Sequence, residues 1–254
     1  MKIGIIGAGH IGSTLATHFT KLNHDVSIAN SRGPQTLKDV SKQTGAVAAT
    51  IEDALMGAEV VVVTIPMNRV WELPRDLFDE LPASTVVIDT CNYYPDSRDG
   101  TIPELEGKIT ESAYVERAIG RPVVKAFNNI MAPLLASRGL PPGSRGRIAL
   151  PFAGDDEHAK KVVMELINAM GFDPVNAGSI ADSWRQQQGM PVYCTNYDYH
   201  GVREGLAIAN HRRLVELRQM NEALMKRLMA KGTPDQMVQA VRELHRREDH
   251  RKAG

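Results

Sequence analysis

Gly7, Gly9 and Gly12, in KIGIIGAGHIGS, have the spacing G-x-G-x-x-G between an apolar run and a helical pattern. Each has a mechanical reason to lack a side chain. Gly7 permits a tight turn, Gly9 lets the backbone approach a pyrophosphate, and Gly12 lets helix pack closely on strand. Amides and dipole at the start of the following helix then stabilise phosphate charge. The motif alone also fits a glycine turn without a ligand, but its context of strand, turn and helix points to dinucleotide binding.

The second chemically informative stretch is SIANSRGP. An NAD-binding chain carries an acid about 20 residues past the first glycine, where it accepts hydrogen bonds from the ribose hydroxyls. Here Asn30, Ser31 and Arg32 stand there instead, followed by Gly33. An arginine fork matches phosphate oxygens, and such a charge-assisted bond contributes about 1.5 to 3 kcal/mol. That is roughly one to two decades of preference for NADP over NAD. The competing reading is a surface arginine in a turn.

Three further strand ends carry residues suited to the nicotinamide half. Thr64, Ile65 and Pro66 end one strand; Asp89, Thr90, Cys91 and Asn92 end the next. Lys125, Ala126, Phe127, Asn128 and Asn129 end a third, with amides and asparagines suited to a carboxamide. Ligands of open α/β sheets sit outside such carboxyl ends. Asp89 reads as the cap of the next turn or as a catalytic acid, and Phe127 as a ring neighbour or as core. Hydride alignment is expected near Pro66 and Phe127, but no catalytic residue is nominated. The chain shows no Ser-His-Asp triad motif, no Tyr-x-x-x-Lys pair and no evident catalytic lysine.

These positions require a scaffold, and the sequence supplies its pattern. Short apolar runs at 2–6, 25–29, 46–48, 60–65, 85–89, 122–126, 148–153 and 174–176 alternate with helical patterns at 11–22, 35–44, 51–56, 70–81 and 156–170. The alternation predicts an α/β fold with a doubly wound, mainly parallel sheet of about eight strands. EVVVVTI is apolar without alternation, as a strand covered on both faces must be. Asp155 is the expected N-cap of the helix over 156–170, and Gly171 its stop.

After about residue 181 the pattern gives way to the polar and aromatic SWRQQQGMPVYCTNYDYHG. This predicts a dinucleotide-binding domain over 1–181 and a helical extension over 182–254 that serves the acceptor site, a dimer interface, or both. Within the extension, 202–230 reads as one long helix with Leu214, Leu217, Leu224 and Leu228 near an a/d stripe, stopped by Gly232. Thr233-Pro234-Asp235-Gln236 reads as the capped start of another helix, and HRREDHRKAG as a solvated, frayed end.

Composition narrows the partners. Hydrophobic residues make up 43% and charged residues 24%, with 30 basic against 30 acidic, so no global field favours nucleic acid or an anionic membrane. No run approaches the ~20 apolar residues of a membrane span. The glycine-broken amino terminus makes a poor signal peptide. Cys91 and Cys194 lack metal-ligand spacing and read as reduced thiols of a cytoplasmic protein without a metal. The leucine stripe predicts a homodimer.

The blocks GIIGAGHIGSTLA, IANSRGP, VVVVTIP, IDTCNYYP, VVKAFNNI and FAGDDEHAKKVVMELINAMGFDPVNAG together resemble the NADP oxidoreductases that use coenzyme F420, an 8-hydroxy-5-deazaflavin. The cytoplasmic reductase domain of membrane metalloreductases is similar too. The resemblance runs to about residue 180 and implies a Rossmann-type NADP domain. It implies pyrophosphate contacts at His10 and Ile11, and 2′-phosphate contacts at Ser31 and Arg32. Nicotinamide neighbours are implied at Ile65, Pro66, Ala126 and Phe127. The SWRQQQGMPVYC segment and the helices beyond it depart from the family pattern, on the acceptor side.

The reaction so implied is hydride transfer between NADPH carbon 4 and deazaflavin carbon 5, which needs alignment more than acid-base help. A second reading is an imine or β-hydroxyacid reductase, with a proton donor among Tyr193, Tyr197, Tyr199 and His200. A third is a non-catalytic NADPH sensor. Trp184, Arg185, Gln186, Tyr193 and Tyr197 read either as a site for a planar acceptor or as a packed hinge.

Overall fold

The computed structural model describes residues 1–228 and 232–252. β1 (Lys2–Ile6), β2 (Asp25–Ala29), β3 (Val47–Ala49), β4 (Val60–Val63), β5 (Val86–Asp89) and β6 (Val124–Lys125) form a six-stranded parallel sheet in the order β3-β2-β1-β4-β5-β6. The order reverses between β1 and β4, which creates the crevice where α/β sheets bind ligands.

Alternate residues of β4 serve opposite faces. Val60 and Val62 join Ile3, Ile5 and Leu15 in one core, while Val61 and Val63 join Val87, Phe78 and Val115 in the other. A strand buried on both sides has no polar face, which is why its sequence runs VVVV.

β7 (Ala149–Phe152) and β8 (Asp173–Asn176) also form, but as a separate parallel pair. The expected sheet of about eight strands is therefore six strands plus two. β6 is only two residues long, and Phe127, at φ 60°, turns the chain out of the sheet. Only Lys125 remains to be paired, and it bonds antiparallel to Ala153 through N···O contacts of 2.8 and 3.0 Å.

α1 (His10–Lys21) and α3 (Ile51–Leu55) form where expected. The helix predicted over 35–44 is a 3-10 turn at Pro34–Thr36 followed by α2 (Lys38–Thr44). That over 70–81 is a 3-10 segment, Met67–Glu72, followed by α4 (Arg75–Asp79), because Pro74 between them has no N–H to give. α5 (Glu111–Ile119) and α6 (Ala132–Ser137) were not expected; one carries a mixed polar sequence and the other is too short to show a period. α7 (Glu157–Ala169) is capped by Asp156, whose Oδ1 accepts from the Ala159 amide at 2.7 Å. The predicted cap, Asp155, accepts instead from the Ile180 amide at 3.1 Å.

The long helix predicted over 202–230 is two helices, α8 (Tyr199–Ile208) and α9 (Leu214–Leu228). Ala209 leaves helical geometry at ψ 137°, and the Asn210 side chain caps the next turn by accepting from the Arg212 amide at 3.1 Å. Hydrophobic spacing continues across this break, so periodicity could not reveal it. Ala230, the expected end, lies outside the described residues. Thr233 and Gln236 form the expected capping box at the start of α10 (Pro234–Lys252). The expected fraying over 245–254 is not seen through Lys252, and His245 is buried; Ala253 and Gly254 lie outside the described residues.

Leu214 and Leu217 of α9 pack against Met190 and Trp184 of the same chain. The stripe offered as a dimer seam is thus partly used internally. No described helix is long and apolar enough to cross a membrane.

Candidate dinucleotide site

β1 delivers Gly7 to the crevice at φ 117°, and its amide donates to Ala29 O of β2 at 2.9 Å. A Cβ on Gly7 would stand 2.1 Å from Thr64 O, and one on Gly12 would stand 2.0 Å from Gly7 O. Those two glycines are required by the fold. Gly9 differs, because a Cβ there would meet no protein atom within 4 Å. The fold leaves that position free, so its lack of a side chain matches a backbone surface that a ligand approaches. Gly9 is also the N-cap of α1, without a side-chain cap and without an acid in the first turn. The amides of His10, Ile11 and Gly12 thus open a helix at its positive end, a setting that fits a pyrophosphate.

The turn after β2 is held by its own side chains. Asn30 Oδ1 accepts from the Arg32 amide at 2.9 Å, and Asn30 Nδ2 donates to Thr36 Oγ1 at 3.0 Å. Gln35 Nε2 donates to Arg32 O at 2.7 Å, and Gly33 takes φ 86°. Asn30 is committed to shaping the turn, while the side chains of Ser31 and Arg32 are exposed beside it. Nothing acidic occupies this loop, so the residues present fit a 2′-phosphate.

Thr64, Ile65 and Pro66 follow β4 and are half-buried. Asn92, after β5, donates from Nδ2 to Asn128 O at 2.8 Å, and Asn128 Nδ2 lies 3.2 Å from Asn92 Oδ1 and 2.8 Å from Gln186 O. Gln186 Nε2 donates back to Lys125 O at 3.2 Å. An amide network therefore joins the ends of β5 and β6 to the polar segment of the extension. Ala126 and Phe127 are fully buried, and the Phe127 ring belongs to the core. What Phe127 offers the crevice is backbone.

The other residues proposed in the polar segment do not converge. Trp184 and Arg185 border a groove of about 350 Å³ with Arg203 and Val175. Tyr193 turns to Tyr94, with the two hydroxyls in a short hydrogen bond, while Tyr199 and His200 are exposed at the start of α8. A larger groove, about 400 Å³, opens at Gly9 and His10 but runs along α1 past Thr14 and His18 to Lys21. It touches the phosphate end and none of the strand ends proposed for nicotinamide.

Beneath those strand ends lies a cluster that the sequence reading missed. Lys125 Nζ is fully buried, 3.2 Å from Asp89 Oδ2 and 3.4 Å from Glu111 Oε2, and donates to Cys91 O. Asp89 Oδ1 accepts from the Cys91 amide at 2.8 Å, the capping role allowed for it, and Oδ2 accepts from Ser112 Oγ at 2.7 Å. Burial alone would lower the Lys125 ammonium, but the neighbouring Asp89 and Glu111 outweigh it and raise the group. Burial raises the Glu111 carboxyl against the pull of Lys125. Burial also raises Tyr94 and Tyr193, and lifts the Cys194 thiol to about 12, so these groups stay protonated near neutrality. The available signal was a lysine inside the apolar run PVVKAF.

Residues 2–93 match the family described as NADP oxidoreductase, coenzyme F420-dependent. The F420-dependent NADP reductase of Methanocaldococcus jannaschii is 25% identical over 233 residues, 83% of this chain and 99% of that protein. Metalloreductase STEAP3 of Rattus norvegicus is 29% identical over 193 residues, 75% of this chain. This chain spans 36% of the length of STEAP3 and 43% of that of the putative protein YjhV of Escherichia coli. The crystal structure of a hypothetical protein, SMa0349 from Sinorhizobium meliloti, is similar with a TM-score of 0.65 and 34% identity, over 78% of this chain and 95% of that one. The glycine turn and the acid-free β2 loop both lie in the stretch, residues 2–93, that matches the coenzyme F420-dependent family of NADP oxidoreductases, and the similarity to an F420-dependent NADP reductase extends over 83% of the chain.

Proposed function

We propose that the protein transfers hydride between NADPH and a deazaflavin of the coenzyme F420 type. The observation that carries the donor is the loop Asn30-Ser31-Arg32 next to the Gly7 turn, which offers a cation where an NAD site offers an acid. The acceptor reading is supported by the family description and by a full-length relative that carries that activity in its name.

In this reading Gly9, His10, Ile11 and Gly12 receive the pyrophosphate, and Ser31 and Arg32 the 2′-phosphate, with Asn30 fixing their turn. Thr64, Ile65, Pro66, Asn92, Ala126, Phe127 and Asn128 border the nicotinamide, which supplies the hydride when NADPH is bound. Pro66 and the Phe127 backbone set the ring's position, and the half-buried Asn92, fixed by Asn128, offers its amide to the carboxamide. Residues 1–181 act as the NADP domain, and 182–254 complete the acceptor side through Gln186. Leu224 and Leu228, half-buried on α9, are left for a second copy of the chain, which a light-scattering mass of twice the monomer would support.

The test follows nicotinamide absorbance with NADPH and, separately, a deazaflavin, a flavin, a ferric chelate, ketones and imines. Rapid oxidation with the deazaflavin is expected. Turnover confined to imines or ketones would move the acceptor to the reductase alternative, and tight NADPH binding without any turnover would make the protein a sensor.

A further inference from the structure

We infer that Asp89, Glu111 and Lys125 form a buried cluster of net negative charge that favours the oxidised, cationic nicotinamide over the reduced one. The inference rests on the nicotinamide position proposed above.

Its basis is a charge count in a closed space. Two carboxylates and one ammonium meet with side chains essentially without solvent: 0% exposed for Lys125 and Asp89 and 4% for Glu111. The three N–H donors of Lys125 are matched by Asp89, Glu111 and Cys91 O. Asp89 is further tied to Ser112 and to the Cys91 amide, and Glu111 accepts from the Tyr93 amide. With Glu111 ionised, one negative charge is left over. Well-packed apolar side chains would stabilise such a position as well or better, so stability alone gives no reason for the ions.

The cluster's place supplies a reason. Lys125 directly precedes Ala126 and Phe127, and Asp89 lies three residues before Asn92. A ring seated on those loops would stand on the order of 10 Å from the surplus charge, since three Cα steps of ~3.8 Å separate Asp89 from Asn92. Loss of hydride from carbon 4 turns the neutral dihydronicotinamide into a cation; the acceptor gains the hydride and takes its proton from solvent. The cluster exchanges no electrons. At roughly 10 Å and an effective dielectric near 20, one negative charge shifts the relative affinity for the two ring states by about tenfold.

The groups facing Glu111 are Lys125 from β6, Asp89 from β5, Tyr93 and Tyr94 from the loop after β5, and Tyr193 from the extension. The phenols of Tyr94 and Tyr193 are held protonated by burial, which leaves Glu111 as the carboxyl whose ionisation sets the surplus.

The experiment measures Kd for NADP+ and for NADPH on the full-length protein from about pH 6 to about pH 9, for the natural chain and for Glu111→Gln. The amide keeps an acceptor for the Tyr93 N–H and removes the charge. In the natural chain, Kd(NADP+)/Kd(NADPH) is expected to fall as pH rises and Glu111 ionises. In Glu111→Gln it is expected to stay flat and to lie about tenfold higher at the alkaline end, with NADPH affinity preserved. A purely structural role would weaken both forms alike. Equal ratios in the two proteins at every pH overturn the inference, and if Glu111→Gln does not fold, equal ratios in the natural chain and in Asp89→Asn, which removes the other carboxylate, do so. Failure of the natural chain to bind NADPH overturns the proposed function as well, whereas binding and turnover with an unchanged ratio overturn only the charge cluster.

Discussion

Arg218 Nη2 lies 2.8 Å from Oε2 and 2.9 Å from Oε1 of Glu106, fastening α9 to the loop that leads into α5. The same guanidinium donates to Leu105 O at 3.2 Å and stacks 4.7 Å from the Tyr93 ring centroid. Glu106 Oε1 also accepts from the Tyr93 hydroxyl at 2.9 Å. Removing the buried partner leaves the carboxylate with the Tyr93 hydroxyl but no cation, and takes a donor from Leu105 O. Arg218→Met is expected to destabilise the protein by about 2 to 4 kcal/mol, read as a lower urea midpoint. An unchanged midpoint would show that the extension is held by apolar packing alone.

The β2 loop sets the choice of dinucleotide. Arg32→Glu places a carboxylate beside the position proposed for the 2′-phosphate while leaving the Arg32 amide free to hold the Asn30 turn. NADPH affinity is expected to fall by roughly one to two decades, with NADH affinity preserved or improved. Titration with both nucleotides checks it; equal losses would mean that the arginine does not read the phosphate.

The glycines separate folding from binding. Gly12→Ala puts a methyl 2.0 Å from Gly7 O and is expected to lower the melting temperature clearly. Gly9→Ala meets no protein atom within 4 Å, so the fold is expected to survive. Its methyl instead occupies the surface offered to the pyrophosphate, and NADPH affinity is expected to fall by tenfold or more, by order of magnitude for a lost close backbone approach. A Gly9→Ala protein that melts and binds normally would remove the loop from the site.

Stability should fall in mild acid. His18 is depressed below its ordinary value of 6.5, chiefly by burial, with Nε2 at 2.9 Å from Leu135 O. The unfolded chain therefore binds a proton at a higher pH than the folded one. This contribution is complete above 6.5 and is lost as pH falls from 6.5 toward the lower folded value. Unfolding free energies between about pH 7 and about pH 5 should decline, and His18→Gln should flatten part of that slope. An identical slope in the variant would assign the acid sensitivity to other groups, such as His24, which is also lowered by burial.

What the sequence determined follows from local rules. Every one of the strand segments read from apolar runs forms a strand, because a β-rich run bounded by turn residues carries its own signal. The glycine turn and the Thr233 capping box were equally local, since each depends on residues within a few positions. The break in the leucine-rich helix at Asn210 is local too, a side-chain cap on Arg212, but the hydrophobic spacing that continues across it hides it. Tertiary structure decided what local spacing cannot express. It split the strands into a sheet and a pair, since β6 leaves only Lys125 to bond Ala153, just past β7. It drew Phe127 into the core and Tyr193 to Tyr94. Above all, Asp89, Glu111 and Lys125 belong to three elements, and only the crossover that lays β6 beside β5 under α5 brings their charges into contact.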